Sequence, residues 1–247
     1  METPQKQTKA EKRELRKLEW QKEAEKAKKA EQYKKIGIWV LVAVIIMAAI
    51  FGLAMLVNSP TSTTSTSNLT VPLKADQEFS RGDVNSKVTL IEYGDFQCPA
   101  CAQYHPLVKQ LLSEQGDKMH FVYRYFPLTN VHQNAQISSQ AGFAANKQGK
   151  YWEMHDTLYD TQNDWAQIPN PQDIFVGYAK DLGLNTDQFK NDMNSDEANK
   201  FVNDSLKNAT NLGLNSTPSF FLNGKYIETP NTYDDLKKLI DNEFSKK

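Results

Sequence analysis

Cys98 and Cys101 are the only cysteines among 247 residues, and their position limits the fold more than any other feature of the sequence. They lie between an apolar, β-prone run that ends at Tyr93 and a helix-forming run that begins at Ala102. At the N-terminus of a helix, unpaired backbone N–H groups and the positive end of the dipole favour a thiolate. Because only the thiolate attacks a disulfide, we expect Cys98 to be the nucleophile and Cys101 the resolving thiol. The pair predicts a thiol–disulfide redox protein with a reversible Cys98–Cys101 disulfide.

The segment 36–57 carries no charged residue over 22 positions. As a helix it would be about 33 Å long, which is enough to cross the hydrocarbon core of a bilayer. Residues 1–35 before it carry 12 Lys/Arg and 7 Asp/Glu, whereas the first Lys or Arg after it is Lys74. This asymmetry predicts a single-pass signal anchor with a cytoplasmic tail and an extracytoplasmic catalytic domain, either periplasmic or on the outer surface. A cleaved signal peptide is the alternative, although its apolar core usually has only about 7–15 residues.

Residues 58–78 are rich in Ser, Thr and Asn, which predicts a flexible linker with a mean reach of about 25 Å. The remaining residues, 79–247, have mixed polarity and are numerous enough for one domain with a buried core. Beyond residue 35 the chain has 17 Lys/Arg and 23 Asp/Glu, a balance of −6. A negatively charged domain is poorly suited to bind a phosphate backbone, so we expect no nucleic-acid partner.

The pattern of apolar residues after the linker predicts an α/β domain. Runs at 88–93 and 119–126 read as strands with a helix between them, and such a βαβ unit makes the two strands parallel. Helical periodicity then dominates from about 133 to 212 and predicts a helical insertion. Asn223-Gly224 is a preferred hairpin turn between two short β-prone runs, and a last helix is predicted over 233–244.

This order of elements resembles the thioredoxin fold, and its motifs resemble those of the DsbA-like thiol:disulfide oxidoreductases. That family inserts helices after the βαβ half of the fold, where this sequence has its helical segments. The matching segments occur in the family's order and extend over nearly all of 79–247; they are EYGDFQCPAC at 92–101, RYFPL at 124–128, YWEMHD at 151–156 and TPSFFLNGK at 217–225. The resemblance implies a thioredoxin-like fold (βαβ, helical insertion, β-hairpin, C-terminal helix), here preceded by a transmembrane helix.

The resemblance also implies roles for three residues outside the cysteine pair. Pro218 matches the family's cis-proline, which faces the dithiol, and Thr217 would then expose its backbone to an extended substrate. Glu92 matches the family's buried acid, which accepts the resolving thiol's proton. An ordinary trans proline at a strand start and a solvent-exposed strand carboxylate are the alternatives. Ser216 departs from the glycine that relatives often have at this place.

The other chemically notable side chains have weaker support. His105 shares a helix face with Cys101, so tuning of a thiol pKa is one interpretation, but packing is the favoured one. His132 lies near, and His155 within, segments that match the family, but helix capping and core packing explain these two histidines as well as a functional role does. Core packing is the interpretation we favour for the aromatic residues of the insertion, Trp152, Trp165 and Tyr159. Two cysteines are half of a Cys₄ zinc site and His105 adds at most a third ligand, so we expect no metal and no cofactor.

The expected reaction is thiol–disulfide exchange at Cys98. In the oxidised form, a substrate thiolate attacks Cys98 and a second substrate thiolate resolves the mixed disulfide, which leaves a new disulfide in the substrate. The predicted location and the resemblance favour an oxidase of cysteine-containing secreted or envelope proteins, re-oxidised by an integral membrane partner. A reductase or isomerase of the same fold stays open, and a membrane-tethered, chaperone-like binding protein is a more distant alternative.

Overall fold

The computed structural model describes Met47, residues 69–73 and residues 78–246. The chain divides into two compact units, 1–63 and 64–247, and everything described here except Met47 lies in the second unit. Within the described ranges, no helix is both long enough and apolar enough to cross a membrane. The predicted cytoplasmic tail, most of the predicted anchor and the first part of the predicted linker lie outside these ranges.

The second unit contains a five-stranded sheet in the order β1-β3-β2-β4-β5. Its elements, numbered along the chain, are β1 (Phe79–Gly82), β2 (Thr89–Gly94), α1 (Pro99–Gln115), β3 (His120–Tyr125), α2 (Ala135–Asn146), α3 (Tyr151–Asp160), α4 (Gln162–Trp165), α5 (Gln172–Asp181), α6 (Thr186–Met193), α7 (Asp196–Asn211), β4 (Ser219–Leu222), β5 (Lys225–Ile227) and α8 (Tyr233–Ser245). The predicted βαβ unit, helical insertion, hairpin and final helix are confirmed.

The centre of the sheet is the βαβ unit of β2, α1 and β3. The two strands are parallel, in a register that runs from Thr89 opposite His120 to Gly94 opposite Tyr125. Every residue of both strands is buried, as expected for central strands covered on two faces. Since α1 begins immediately after Cys98, the cysteine pair lies where the central strand passes into the helix.

The edge strand β1 is not predicted by the sequence pattern, and it pairs antiparallel to β3 with Phe79 opposite Tyr123. Its four residues, with a burial pattern of one buried and three at least partly exposed, are too few for a clear alternation. The residues just before it also pack on this sheet. Val71 is buried and donates its N–H to Gly224 O at 2.8 Å, and Thr70 forms a bridge with Lys225. The described end of the predicted linker therefore lies against the domain.

Arg124 holds the segment before β1 in place. Its buried guanidinium donates to Glu78 Oε2 at 2.7 Å and to Pro72 O at 2.8 Å. It also lies over the ring of Tyr93, 5.6 Å from the centroid. A buried charge needs such partners because desolvation is otherwise unfavourable by several kcal/mol. Arg124 thus accounts for the order of residues that composition alone placed in a flexible segment.

The two faces of the sheet cover different cores. Alternation along β2 directs Leu90 into the larger cluster, which includes the insertion helices, and Ile91 and Tyr93 into a smaller cluster on the opposite face. By the same alternation Glu92 lies on the face of Leu90, beneath the insertion. The period-2 pattern of β2 thus directs a carboxylic acid into the larger core, and this explains its burial.

The β4–β5 hairpin turns at Asn223 and Gly224, whose φ angles of 49° and 79° fit the tight turn predicted for this pair. Asn223 Oδ1 accepts the N–H of Thr89 at 2.8 Å, so the turn is tied to the start of β2. A Cβ at Gly224 would lie 2.7 Å from Val71 O. Glycine is therefore required both by the backbone conformation and by the close approach of the segment before β1.

Candidate active site

The turn from β2 to α1 is built around Asp95. Its backbone carbonyl accepts the N–H of Cys98 at 3.0 Å, and its Oδ1 accepts the N–H of Gln97 at 2.8 Å. Cys98 is the N-cap of α1, with extended φ and ψ of −69° and 121°, and Pro99 follows in the first turn of the helix, where its missing N–H has no effect on the helix hydrogen bonds. The helix N-terminus predicted from the sequence therefore points at the first cysteine.

Cys98 is a buried thiol with a low pKa. Only 6% of its surface is exposed, and Sγ lies 3.4 Å from the backbone oxygen of Thr217. The hydrogen bond from the Cys101 thiol has the largest influence on the pKa of Cys98 and lowers it, whereas burial opposes this effect. The Thr217 hydroxyl and the N–H groups of Cys101 and Ala100 also lower it, and together they bring the pKa from 9.0 to about 6. Each of these donors favours the charged form, so most of Cys98 is thiolate at pH 7.

The loop before β4 faces this thiol. The Thr217–Pro218 peptide bond is cis, and the carbonyl of Thr217 is the group in contact with Cys98. Thr217 Oγ1 is buried and has no hydrogen-bond partner among the described residues, so it is available to donate to a thiolate. Ser216 keeps its carbonyl occupied by Ser219 Oγ at 2.8 Å. Sequence matching and structure therefore bring Thr217 and Pro218 to the same place.

The resolving thiol has a different environment. Cys101 is fully buried, and its pKa is raised well above 9.0, first by burial and then by its hydrogen bond to Cys98 and by nearby negative charge. Glu92 is 3% exposed, and its pKa is raised to about 8, first by burial and then by the charge of Cys98, despite the opposing effect of Arg81. The alternative of a solvent-exposed carboxylate at this position is wrong. Glu92 and Cys101 are the proton-holding groups on the buried side of the dithiol.

Sequence reasoning missed a second acid beside the thiols. Asp95 is fully buried, and its Oδ2 accepts the N–H of Leu128 at 2.8 Å and lies 2.7 Å from His132 Nδ1. The hydrogen bond with Asp95 raises the pKa of His132, as do the charges of Asp95 and Cys98, despite partial burial. The sequence alone explains His132 equally well by helix capping or packing, because nothing in a linear sequence reveals its proximity to Asp95. The pair places a protonatable imidazole near the nucleophile.

Polar side chains of the insertion fix the active-site turn. Gln162 Nε2 donates to Phe96 O at 2.7 Å and to Cys98 O at 3.0 Å. Gln97 donates to Ala166 O at 2.6 Å and accepts the N–H of Asn134. These bonds satisfy buried polar groups that an irregular turn would otherwise leave unpaired. The helical insertion therefore positions the cysteine turn as well as covering it.

Two other histidines, His105 and His155, lie between α1 and α3. His105 is buried, stacks on Tyr159 at a centroid distance of 5.1 Å, and has Nε2 3.3 Å from Asp160 Oδ1. His155 is buried with Nδ1 2.9 Å from Asp156 Oδ1. Burial lowers the pKa of His105, and it lowers that of His155 to about 4. Trp165 and Tyr159 are buried, and the partly buried Trp152 packs against the same core cluster, as expected for core residues.

Comparison with known proteins identifies the family of the folded domain. A family model described as thioredoxin matches residues 74–242. The Na⁺/H⁺ antiporter NhaA 1 of Salinispora arenicola is 37% identical over 158 residues, which are 64% of this chain and 23% of that protein. NhaA 3 of Salinispora tropica is 33% identical over 178 residues, 72% of this chain and 26% of that protein. The chain thus spans about a quarter of the length of these curated relatives.

Solved structures share the fold at low sequence identity. Oxidised BdbD from Bacillus subtilis superposes with a TM-score of 0.63 at 19% identity, over 73% of this chain and 100% of that chain. α-DsbA1 from Wolbachia pipientis gives a TM-score of 0.59 at 20% identity, over 69% and 92%. The thiol–disulfide oxidoreductase MdbA from Actinomyces oris gives 0.57 at 18% identity, over 68% and 88%. The fold is therefore thioredoxin-like with the helical insertion found in DsbA-type proteins.

Proposed function

Since the chain belongs to this thioredoxin family and has the fold and the C-x-x-C active site of a DsbA-like thiol–disulfide oxidoreductase, we propose that it catalyses disulfide formation in secreted or envelope proteins. In this proposal residues 36–57 anchor it in the membrane and the dithiol acts outside the cytoplasm. The observation that carries the direction of the reaction is the unequal acidity of the thiols. The pKa of Cys98 is lowered to about 6, while that of Cys101 is raised.

The catalytic cycle begins with the Cys98–Cys101 disulfide. A substrate thiolate attacks Cys98 Sγ, the bond between the two cysteines breaks, and the Cys101 sulfur leaves with the electron pair. Because burial disfavours a thiolate at Cys101, this sulfur must take up a proton as it leaves. Burial, the first cause of the raised pKa of Glu92, is also present when Cys98 is in a disulfide, so Glu92 is the buried acid that supplies that proton. When the dithiol is oxidised again, the fraction of Glu92 that is ionised accepts the proton of the Cys101 thiol.

The second step releases the product. Another thiolate of the substrate attacks the substrate sulfur of the mixed disulfide, and Cys98 leaves as a thiolate. A low thiol pKa makes a sulfur a better leaving group, so the donors around Cys98 assist this step. Two electrons have then passed from the substrate dithiol to this protein. An integral membrane partner that hands electrons to a quinone would restore the disulfide, and the tether would keep the site close to it.

The acidity of Cys98 shifts the equilibrium toward an oxidant by a calculable amount. At pH 7, a pKa of about 6 stabilises the reduced form by about 1.4 kcal/mol relative to an unperturbed thiol, which is about 30 mV for this two-electron couple. The span from thioredoxin to DsbA is about 150 mV. The thiolate therefore accounts for about a fifth of that span, and an oxidase requires the rest to come from other differences between the two redox forms.

Two features of sequence support the tether. The run 36–57 is uncharged and long enough to span a bilayer. In addition, the relatives from Salinispora that match this chain are named as Na⁺/H⁺ antiporters. Because antiport takes place across a membrane, the matching stretch in those proteins belongs to a membrane protein, which favours a membrane-associated role for the present domain.

The reduction potential tests the proposed direction. The full chain in detergent is equilibrated in glutathione buffers, and the thiolate absorbance of Cys98 is followed against pH in the same preparation. A potential of about −180 mV or higher, with a pKa near 6, supports disulfide donation. A potential near −270 mV contradicts it and identifies a tethered reductase that needs a supply of electrons. The Cys98→Ser variant provides the baseline for the absorbance.

A further inference from the structure

A group of potential metal ligands lies outside the dithiol site, between α1 and α3. His105, His155 and Asp156 each offer one ligand atom, and these atoms all lie within 4.8 Å of one another. His105 comes from the helix that the cysteine pair opens, whereas the other two come from the insertion. Asp160, one turn beyond Asp156, has Oδ1 3.3 Å from His105 Nε2. No feature of thiol–disulfide exchange requires these residues.

The distances in this group are close to those of a metal's ligand sphere. Four N and O ligands at about 2.0–2.2 Å around a tetrahedral ion lie about 3.3–3.6 Å from one another. In the structure, His155 Nδ1 is 2.9 Å and His105 Nε2 is 3.9 Å from Asp156 Oδ1, and the His105 to Asp160 distance is 3.3 Å. Small side-chain movements would therefore bring these atoms onto one ion.

One ring nitrogen of His105 makes no hydrogen bond to the described residues. Its side chain is only 4% exposed, and Nε2 has no hydrogen-bond partner within the described ranges. A buried polar atom left unsatisfied is unfavourable by about 1–3 kcal/mol and is rare in native structures. Nε2 of His105 faces the two carboxylates, so a cation there would satisfy it.

We propose that His105, His155 and Asp156 bind one divalent transition-metal ion of the zinc class, with Asp160 as the fourth ligand. Two imidazoles and two carboxylates are typical of Zn²⁺, whereas Mg²⁺ and Ca²⁺ prefer oxygen ligands throughout. The ion would join the dithiol-bearing helix to the insertion one turn beyond Cys101. The side chain of Asp160 is 54% exposed, so the site is accessible from solvent.

Two cations already interact with these carboxylates. Lys109 Nζ is 3.1 Å from Asp160 Oδ2 and 3.9 Å from Asp156 Oδ2, and Arg81 is 3.6 Å from Asp156 Oδ1. Without a metal ion they balance the two negative charges. Lys109 is 49% exposed, so its flexible side chain can leave the site at little cost. The proposal therefore predicts that Lys109 competes with the metal.

Cobalt and zinc titrations of the full chain in detergent test this site. The protein is first oxidised to the Cys98–Cys101 disulfide so that the thiols cannot bind metal. Co²⁺ is then added and followed by its visible d–d absorption, and Zn²⁺ is used to displace it. We expect one equivalent to bind, without the sulfur-to-cobalt charge-transfer band. If metal binds only to the reduced protein, or not at all, the proposal is overturned.

Substitutions identify the ligands. His105→Asn and Asp156→Asn should weaken Co²⁺ binding by at least about 100-fold, since loss of a mere partner of a ligand already costs 10–100-fold. Asp160→Asn alters an exposed residue and should weaken binding by about 10-fold without affecting the fold. Lys109→Met should tighten binding several-fold. The matched control is His132→Asn, which removes an imidazole paired with a carboxylate elsewhere and should leave the affinity unchanged.

Two outcomes contradict the assignment even if metal binds. One is an unchanged affinity in His105→Asn, with folding verified by circular dichroism, because the ion would then lie elsewhere. The other is an equal loss in His132→Asn and His105→Asn, which would indicate non-specific imidazole binding. Either result leaves the proposed oxidase function intact, because that proposal rests on the dithiol and not on these four residues.

Discussion

The two cysteines of the dithiol have the same side chain, but their surroundings shift its pKa in opposite directions. Cys98 lies at the N-terminus of α1, where the Cys101 thiol, Thr217 and backbone N–H groups lower its pKa to about 6. Cys101 lies one turn further into the core, where burial raises its pKa. The neighbouring acid Glu92 is also held in its neutral form. One side stabilises negative charge and the other excludes it.

This difference shows that a separation of three residues along α1 is enough to give the two thiols different pKa values and different roles. The N-terminal end of α1 offers hydrogen-bond donors that have no partner within the helix. Around Cys101, burial and the nearby charges of Cys98 and Glu92 oppose a thiolate. Nucleophile and resolving thiol are therefore assigned by position in the fold and not by residue type. Variants that change one cysteine or its surroundings test this assignment when their effects are compared with those on the other cysteine.

Removal of each thiol should have the largest effect. Cys98→Ser should abolish turnover in oxidative refolding of a reduced substrate, because it removes the nucleophile. In a buffer that contains oxidised glutathione, which forms a mixed disulfide with Cys98 that a substrate thiolate then attacks, Cys101→Ser should instead accumulate a mixed disulfide between Cys98 and the substrate, visible on a non-reducing gel. The gel and the refolding rate are measured together. A trapped complex in Cys98→Ser, or equal behaviour of the two variants, would show that the assignment of nucleophile and resolving thiol is wrong.

Glu92→Gln should give the next largest effect, on stability. The folded-state pKa of Glu92 is raised from 4.5 to about 8, so the unfolded chain ionises first as the pH rises. The wild-type protein therefore loses stability relative to the glutamine variant between pH 4.5 and 8, by at most about 5 kcal/mol at 1.36 kcal/mol per pKa unit. Below pH 4.5 the two should differ little.

Urea unfolding of the reduced proteins at pH 4.5 and pH 8.5 measures this difference. Glu228→Gln, at an exposed position, is the control and should show no comparable change. Equal stability of wild type and Glu92→Gln at pH 8.5 would mean that Glu92 ionises freely in the folded protein. In the oxidised protein the difference should be smaller, because the charge of Cys98, the second cause of the raised pKa, is then absent.

The sequence was sufficient to predict much of this comparison. A cysteine pair at a strand-to-helix junction identified the helix N-terminus. The resemblance of the motif at 92–101 to the DsbA-like family pointed to Glu92 as a candidate acid, whereas the alternation of the strand alone left a solvent-exposed carboxylate open. The contribution of Cys101 to the acidity of Cys98 was not predicted, although it is the largest one. It depends on the direction of two side chains across a single helical turn, which spacing does not determine.

Long-range pairs are the other part that sequence reasoning could not supply. Asp95 and His132 are 37 positions apart, and the bonds of Gln162 to the active-site turn span more than 60 positions. The same limit applies to residues 69–73, whose composition is that of a linker, although they pack against β5 and Arg124. Local patterns predict helices and strands, but such contacts depend on how those elements are placed against one another.

Thr217→Val should raise the pKa of Cys98 by about one unit. The hydroxyl of Thr217 lowers that pKa and has no other partner among the residues described, while valine keeps nearly the same shape. Loss of one hydrogen bond to a charged group is worth about 1.5 kcal/mol, which corresponds to the expected shift. Thiolate absorbance against pH measures it, with Thr210→Val at an exposed position as the control. An unchanged pKa would mean that the Thr217 hydroxyl does not stabilise the Cys98 thiolate.

His132→Asn should have the smallest effect on the pKa of Cys98, and it tests whether His132 also stabilises the Cys98 thiolate. The pKa of His132 is raised by its bond to Asp95 and by the charges of Asp95 and Cys98. The favourable interaction is therefore fully present below the ordinary histidine pKa and is lost as the pH rises through the raised one. Replacement by asparagine should raise the pKa of Cys98 by a few tenths of a unit.

The coupling between His132 and Cys98 is reciprocal, and this makes the prediction strict. If the thiolate of Cys98 raises the pKa of His132, then Cys98→Ser must lower the pKa of His132 by the same free energy that His132→Asn removes from Cys98. A titration of the imidazole by NMR, in wild type and Cys98→Ser, measures the first quantity, and thiolate absorbance measures the second. Equal shifts would show that His132, paired with Asp95, stabilises the Cys98 thiolate together with the donors at the helix N-terminus. A shift in only one of the two titrations would mean that His132 acts on the conformation of the turn and not through its charge.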